Sequence, residues 1–506
     1  MIHPLSALVS DVHLPRFVRV RQKFPTDHIA PEALPDAIRA QLQRPAIAET
    51  IRPGMKVCIT CGSRGIDGYL ALIRTVVEFC RERGAEPFAI PAMGSHGGAT
   101  AEGQRDILSA LGITEDSIGC PIVSSMETVV VGQTEDGKDV HVDAHAAAAD
   151  AIIVVNRVKP HTSFRGTYES GLMKMMAIGL GKQKGASSCH ASGYKYMSKY
   201  VPAFGTVILQ KAPIAFGLAS LENAFDKVTQ VHALTPEEIL TEEPKLLKTA
   251  AALMPKLYFD SCDVLVVDEI GKNISGGGMD PNITGAFSTP YATGGINAQM
   301  RCILSLTSQT HGSAYGMGAA DVVSKKLYDA VDFAKTYPNA ITSTAIGFAK
   351  LPLVMPNDRD TIGLCVRSCT DIDKENPRII RLRNTLSLGE IWISEAMIPE
   401  AEQNPNLEVL SQPEYWTFDE EGNLFYCFAA PICHTLRDTF PAGEGKFPFP
   451  YLNRTRVSCW ASRRESVRWS YMACRAASLS PASIFATICR WLSRVWFRWS
   501  TDSLRI

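Results

Sequence analysis

Over the first 220 residues one pattern recurs: a short apolar run, a glycine-rich turn, then apolar positions at helical spacing. Residues 55–61 form the first clear run, and Gly62-Ser63-Arg64-Gly65-Ile66 follows it. Leu70, Ile73, Val76, Val77 and Cys80 then repeat with the period of a helix over 69–83, which Gly84 ends. A second run, 87–93, leads into Gly94-Ser95-His96-Gly97-Gly98, and Thr100 is placed to cap a helix reaching Leu111. The stretch 129–142, broken at Asp136-Gly137, predicts a hairpin. Residues 151–156 predict a buried strand that delivers Lys159, Pro160 and His161 to a loop.

Strands alternating with helices predict an α/β fold of mainly parallel sheets flanked by helices, with the active loops beyond the strands' carboxyl ends. A polar helix over 236–252 precedes a second region, which opens with a buried strand at 264–267 and a glycine-rich run from Gly271-Lys272 to Gly276-Gly277-Gly278. The expected organisation is an N-terminal catalytic and cofactor domain over 1–250 and a C-terminal α/β domain over 251–450. The active site is expected in the crevice between them.

Composition narrows the class. Hydrophobic residues make up 46% and charged residues 20% of the 506, as in a globular protein. No run of about 20 apolar residues is present, so no transmembrane segment is expected. The N-terminus lacks the basic and apolar regions of a signal peptide, which points to the cytoplasm. The 14 cysteines show no paired framework and are read as reduced thiols. Cys58 and Cys61 form a C-x-x-C inside an apolar run and are read as buried strand residues.

Charge is unevenly spread. Residues 451–506 hold ten Arg, no Lys and two acids, with five of the seven tryptophans. Without them the chain carries 41 basic against 50 acidic residues, so nucleic-acid binding has no support. Such a tail is read as a shifted reading frame or a disordered extension. A basic amphipathic helix near 482–499 for an anionic surface is the rival reading.

Several residues have the setting of chemistry. Arg64 lies in a turn between strand and helix, where backbone N–H groups and a guanidinium suit an anion, though a plain turn fits as well. His96 and His161 stand at strand ends, which converge on one crevice in such folds. Unperturbed imidazole titrates near neutrality and serves as acid, base or metal ligand. His190, beside Cys189, adds a candidate metal ligand, and His311 is weaker. Lys174 lies in the apolar run Gly171-Leu172-Met173-Lys174-Met175-Met176, where burial of an ammonium lowers its pKa and suits it to covalent attachment. Lys182 and Lys184 are read as solvent-facing or anion-binding, and Lys272 as a cation for a carboxylate.

Pro160-His161, then Ser170-Gly171-x-x-Lys174, then His190, with Gly94-Ser95-His96 upstream, resembles the nickel-dependent lactate racemase family over most of residues 10–400. The resemblance implies a racemase or epimerase that inverts C2 of a 2-hydroxy acid by hydride transfer to and from a nickel-pincer nucleotide. That cofactor is pyridinium-3,5-bisthiocarboxylic acid mononucleotide bearing nickel, supplied by cofactor-synthesis enzymes. The covalent anchor falls on Lys174, the nickel ligand on His190, the two acid–base histidines on His96 and His161, and the anion-turn arginine on Arg64. The chain departs from the family at Cys61, where an acid usually precedes the arginine, and around Ser163–Thr167, where extra residues stand. A larger 2-hydroxy acid than lactate, held by Arg64, Lys272 and Arg165, is therefore expected, in a monomer or homo-oligomer. Two alternatives stay open. One is a zinc-dependent lyase or hydrolase using His96, His161 and His190, and the other is a non-catalytic organic-anion-binding protein.

Overall fold

Five strands form the smaller of two main sheets, in the order Glu86–Pro91, Lys56–Cys61, Ala151–Arg157, Ile214–Glu222, Val228–Leu234. All run parallel except the last. The computed structural model describes residues 3–343 and 345–425. The 451–506 tail, with its candidate helix near 482–499, lies outside them.

Side chains of the central strands alternate between two cores. Val57, Ile59, Ile153 and Val155 pack on one face with Ile38, Leu72 and Val76 of the helices Leu34–Leu42 and Tyr69–Glu82. Cys58, Ile152 and Val154 pack on the other with Leu172, Met176, Phe204 and Ile239. Strands buried on both faces read as continuous apolar runs, which is why these were legible in the sequence.

The larger sheet has eight strands: Leu353–Met355, Val322–Ser324, Asn297–Leu306, Ser261–Ile270, Ile379–Leu382, Glu390–Ser394, Phe17–Gln22 and Leu407–Val409. The first five are parallel and the last three antiparallel. Phe17–Gln22, from the start of the chain, thus belongs to the sheet built mainly from residues beyond 250. Both main sheets lie within one compact unit.

The α/β class with mainly parallel sheets is as expected. The 129–142 hairpin is present as Thr128–Gln133 and Asp139–Asp143, and Thr100 caps its helix by accepting from Gly103 N at 3.1 Å. Among the described residues no helix is long and apolar enough to cross a membrane.

Candidate active site

Parallel neighbours end at the same edge of a sheet. Lys56–Cys61 hands the chain to Arg64, Glu86–Pro91 hands it to His96, and Ala151–Arg157 hands it to Lys159 and His161. A fourth segment closes on them: the helical turn Leu172–Lys174 runs into a wide π-helical turn, Met175–Leu180, and then into the helix Lys182–His190. Single π turns in helical runs are frequent at functional sites. Gly94 N donates to Gly179 O at 3.4 Å, and a Cβ at Gly94 would lie 3.2 Å from Ile178. The His96 loop therefore rests directly on the segment that follows Lys174.

The electrostatics tie these residues into one site. Burial lowers the pKa of His96 to about 4, and the charges of Arg64 and Lys174 lower it further. His190 is brought to about 4 by burial and then by Lys174. His161 is pushed well below its ordinary value by burial first, then by Lys174 and His190. All three imidazoles are neutral at neutral pH, the form that accepts a proton or binds a metal. Lys174 is held down to about 8 by burial, with Arg64 next in importance. Arg64, His96 and Lys272 stay open to solvent although burial lowers each pKa, as on the wall of a recess.

His161 is the most constrained. Its N–H donates to Glu169 Oε2 at 2.6 Å, and its Nδ1 accepts from Ser163 N at 3.0 Å. Because Nδ1 accepts, the neutral ring carries its hydrogen on Nε2. The ring lies 4.5 Å from that of Phe164 and 6.5 Å from that of Tyr194. Tyr194 also stands edge-on to His190 at 5.7 Å, so one phenol spans both histidines. Burial pushes that phenol up to about 12.

Positive charge gathers here, with Asp280, Asp226 and Glu222 acting on Lys159 and Glu169 on Lys174 from a distance. Arg64, Lys159, Lys174 and Lys272 make no side-chain hydrogen bond or ion pair among the described residues. Lys159 carries a pKa lowered by burial and by Arg157, and it acts on both His161 and Lys174. A Cβ at Gly276, in the glycine run of the larger sheet, would lie 3.1 Å from Arg64 Nη2. Lys272, at the end of Ser261–Ile270, is likewise felt by Arg64. Like charges gathered without partners repel one another, so this grouping favours an anion.

Lys182 and the zinc reading need correction, and Arg165 stands in a network of its own. Arg165, expected to hold the substrate, has its guanidinium bonded within the protein: Nη1 donates to His161 O at 2.6 Å and Glu169 Oε2 at 3.3 Å. Its Nε and Nη2 donate to Thr293 O at 3.0 and 2.8 Å, and Nη2 also to Asn282 Oδ1. It ties the His161 loop to residues 282–293. Lys182 is not solvent-facing but fully buried, paired with Asp143 at 3.3 Å. The zinc reading also loses its footing: among the described residues no three His, Cys, Asp or Glu side chains come close enough to hold a metal ion. Cys189 is a buried thiol pushed up to about 12 by desolvation, and Cys58 and Cys61 are likewise buried and raised. Lys184 is exposed. His311 takes a left-handed φ of 51° and is not among the groups acting on the other histidines.

Sequence reasoning placed Lys159 on the loop without giving it a role, and it missed Glu169, Tyr194 and Glu243. Glu243, on the helix Pro236–Leu253, accepts from Met173 N at 3.0 Å and so caps the turn that carries Lys174. A carboxylate inside the predicted polar helix gave no signal beyond its ordinary solubility there.

Neutral histidines, a lysine held near pKa 8 and several cations thus gather at the parallel strands' ends of an α/β fold. Residues 6–198 match the family model described as the lactate racemase N-terminal domain. The resemblance read from the motifs is thus borne out over that N-terminal domain. No curated protein matches the chain. Among solved structures it is similar to the lactate racemase apoprotein from Thermoanaerobacterium thermosaccharolyticum, at 11% identity and a TM-score of 0.47, over 73% of this chain and 99% of that one.

Proposed function

We propose that the protein is a cytoplasmic racemase or epimerase acting at C2 of a 2-hydroxy acid, with a nickel-pincer nucleotide joined to Lys174. The observation that carries this reading is Lys174 itself: an amine near pKa 8 without a protein partner, acting on three neutral histidines. The residues fit the group. Lys174 has enough neutral amine at cell pH for covalent attachment, His190 has a neutral ring for a metal, and the free cations suit its phosphate and carboxylates. A set of three protein ligands is not needed when the cofactor supplies its own donors.

When bound, the cofactor would take up and return the α-hydride of the substrate. The chain's part is binding and proton movement. Arg64 and Lys272 hold the substrate carboxylate by charge and hydrogen bonds. His96, neutral and solvent-reached, accepts the 2-hydroxyl proton. His161 offers its Nε2–H as a hydrogen bond to the 2-oxygen as that gains negative charge, and the proton held on His96 returns to the oxygen in the product.

The test is intact mass and metal content of protein co-produced with cofactor-synthesis enzymes, compared with Lys174→Ala. A wild-type adduct with stoichiometric nickel, absent from the variant, is the expected result. Equal masses without nickel would overturn the reading in favour of anion binding, which the unpaired cations also suit.

A further inference from the structure

Lys182 is the most unusual residue outside the site. It takes a left-handed φ of 52°, which a side chain adopts only at a cost, and it is fully buried. It also opens the helix that ends at His190. Its ammonium donates to Pro91 O and to Gln104 Oε1 at 3.2 Å, and lies 3.3 Å from Asp143 Oδ2. Asp143 is anchored in turn, since its Oδ1 accepts from His145 N and Ala146 N at 2.9 and 3.0 Å.

Gln104, also fully buried, turns its other end to the His96 loop. Its Nε2 donates to Gly94 O at 2.8 Å and to His96 O at 3.2 Å. The amide is oriented from both sides. An ammonium only donates, so it must face Oε1, and carbonyls only accept, so they must face the NH2. The loop it grips has Gly94 and Gly97 at φ of 61° and 66°, and a Cβ on Gly97 would lie 2.5 Å from the Gly103 carbonyl carbon.

We propose that Gln104 and Lys182 are positioning residues for His96, acting as one buried strut between its loop and the segment that carries Lys174 and His190. The strut sets where the His96 ring stands relative to the lysine and the substrate. A functional role for that placement rests on the racemase reading, whereas the placement itself does not.

The test is Gln104→Met in the full chain, which keeps bulk and removes both ends of the strut. In the apo-protein, NMR titration of His96 is expected to move upward from about 4 by one unit or more, as the ring shifts away from its present surroundings and from the charges of Arg64 and Lys174. In the loaded enzyme, turnover is expected to fall roughly 10- to 100-fold with KM unchanged, the size of a small misplacement. Nickel content and the Lys174 adduct should stay as in wild type. Unchanged His96 titration and turnover in folded variant would overturn the proposal. Should the variant fail to fold, exchange of the Gln104 carboxamide protons in wild type decides: slow exchange is expected, and fast exchange overturns the strut. A wild type without adduct or turnover would sink the racemase reading alone, because the His96 titration needs neither.

Discussion

Ser163 N points at His161 Nδ1 across 3.0 Å, which commits that nitrogen to accepting and leaves the hydrogen on Nε2. With the ring buried and several cations acting on it, protonation is disfavoured twice over. Nitrogen-15 NMR of histidine-labelled protein is expected to show His161 as the neutral Nε2–H form from pH 6 to 8. A charged ring, or hydrogen on Nδ1, would contradict the assignment of His161 as donor.

The three depressed histidines carry a stability consequence. Each binds its proton in the unfolded chain near pH 6.5; when folded, His96 and His190 bind it only near 4, and His161 is lowered well below its ordinary value. The unfolded state therefore holds more protons in that window, and stability rises with pH through it. The thermal midpoint is expected to drop as pH falls from 6.5 towards 4. His161→Asn should flatten that slope, as measured by calorimetry across the range.

Lys174 is expected to be a net liability to the fold. Its pKa is lowered, so folding below pH 8 works against a charge that the unfolded chain holds freely. Lys174→Met removes that charge and its repulsion by Arg64. A gain of about 1 kcal/mol, a few degrees in thermal midpoint, is expected together with loss of the adduct and of turnover. A less stable variant would mean that the lysine has a structural partner.

Much of this was legible in the sequence, for a definite reason. Strands buried on both faces and turns with glycine announce themselves locally, so Arg64, His96 and His161 were found at strand ends. Lys182 was misread, and the bonds of Arg165 were not foreseen, because their partners lie far along the chain: Gln104 and Asp143 for Lys182, Asn282 and Thr293 for Arg165. Phe17–Gln22 could not be assigned to the larger sheet either, since its neighbours are Glu390–Ser394 and Leu407–Val409. Periodicity reports burial but not which distant side chain completes it.

Glu243 should show the opposite pH slope. Burial pushes its carboxyl up to about 8, although the N–H groups of Met173 and Leu172 favour its charged form. Between pH 4.5 and 8 the unfolded chain has lost this proton and the folded one keeps it, so stability falls as pH rises. Glu243→Gln retains an acceptor for Met173 N and has no proton to lose. It is expected to match wild type near pH 5 and to exceed it by on the order of 1 kcal/mol at pH 8, read from denaturant curves. Equal pH slopes in the two proteins would show that the carboxyl ionises normally.

Arg165 separates a clamp from a substrate contact. Its guanidinium joins the His161 carbonyl and Glu169 to Asn282 and Thr293, and a lysine cannot reach this many acceptors from one planar fork. Arg165→Lys keeps the charge and loses that geometry. If the residue is a clamp, stability falls by about 1–3 kcal/mol and turnover falls with KM little changed, because His161 loses its backing. If it held the substrate, the same change would raise KM and leave the thermal midpoint where it was. The occupied donors favour the first outcome, and the two constants measured together with a melting curve decide between them.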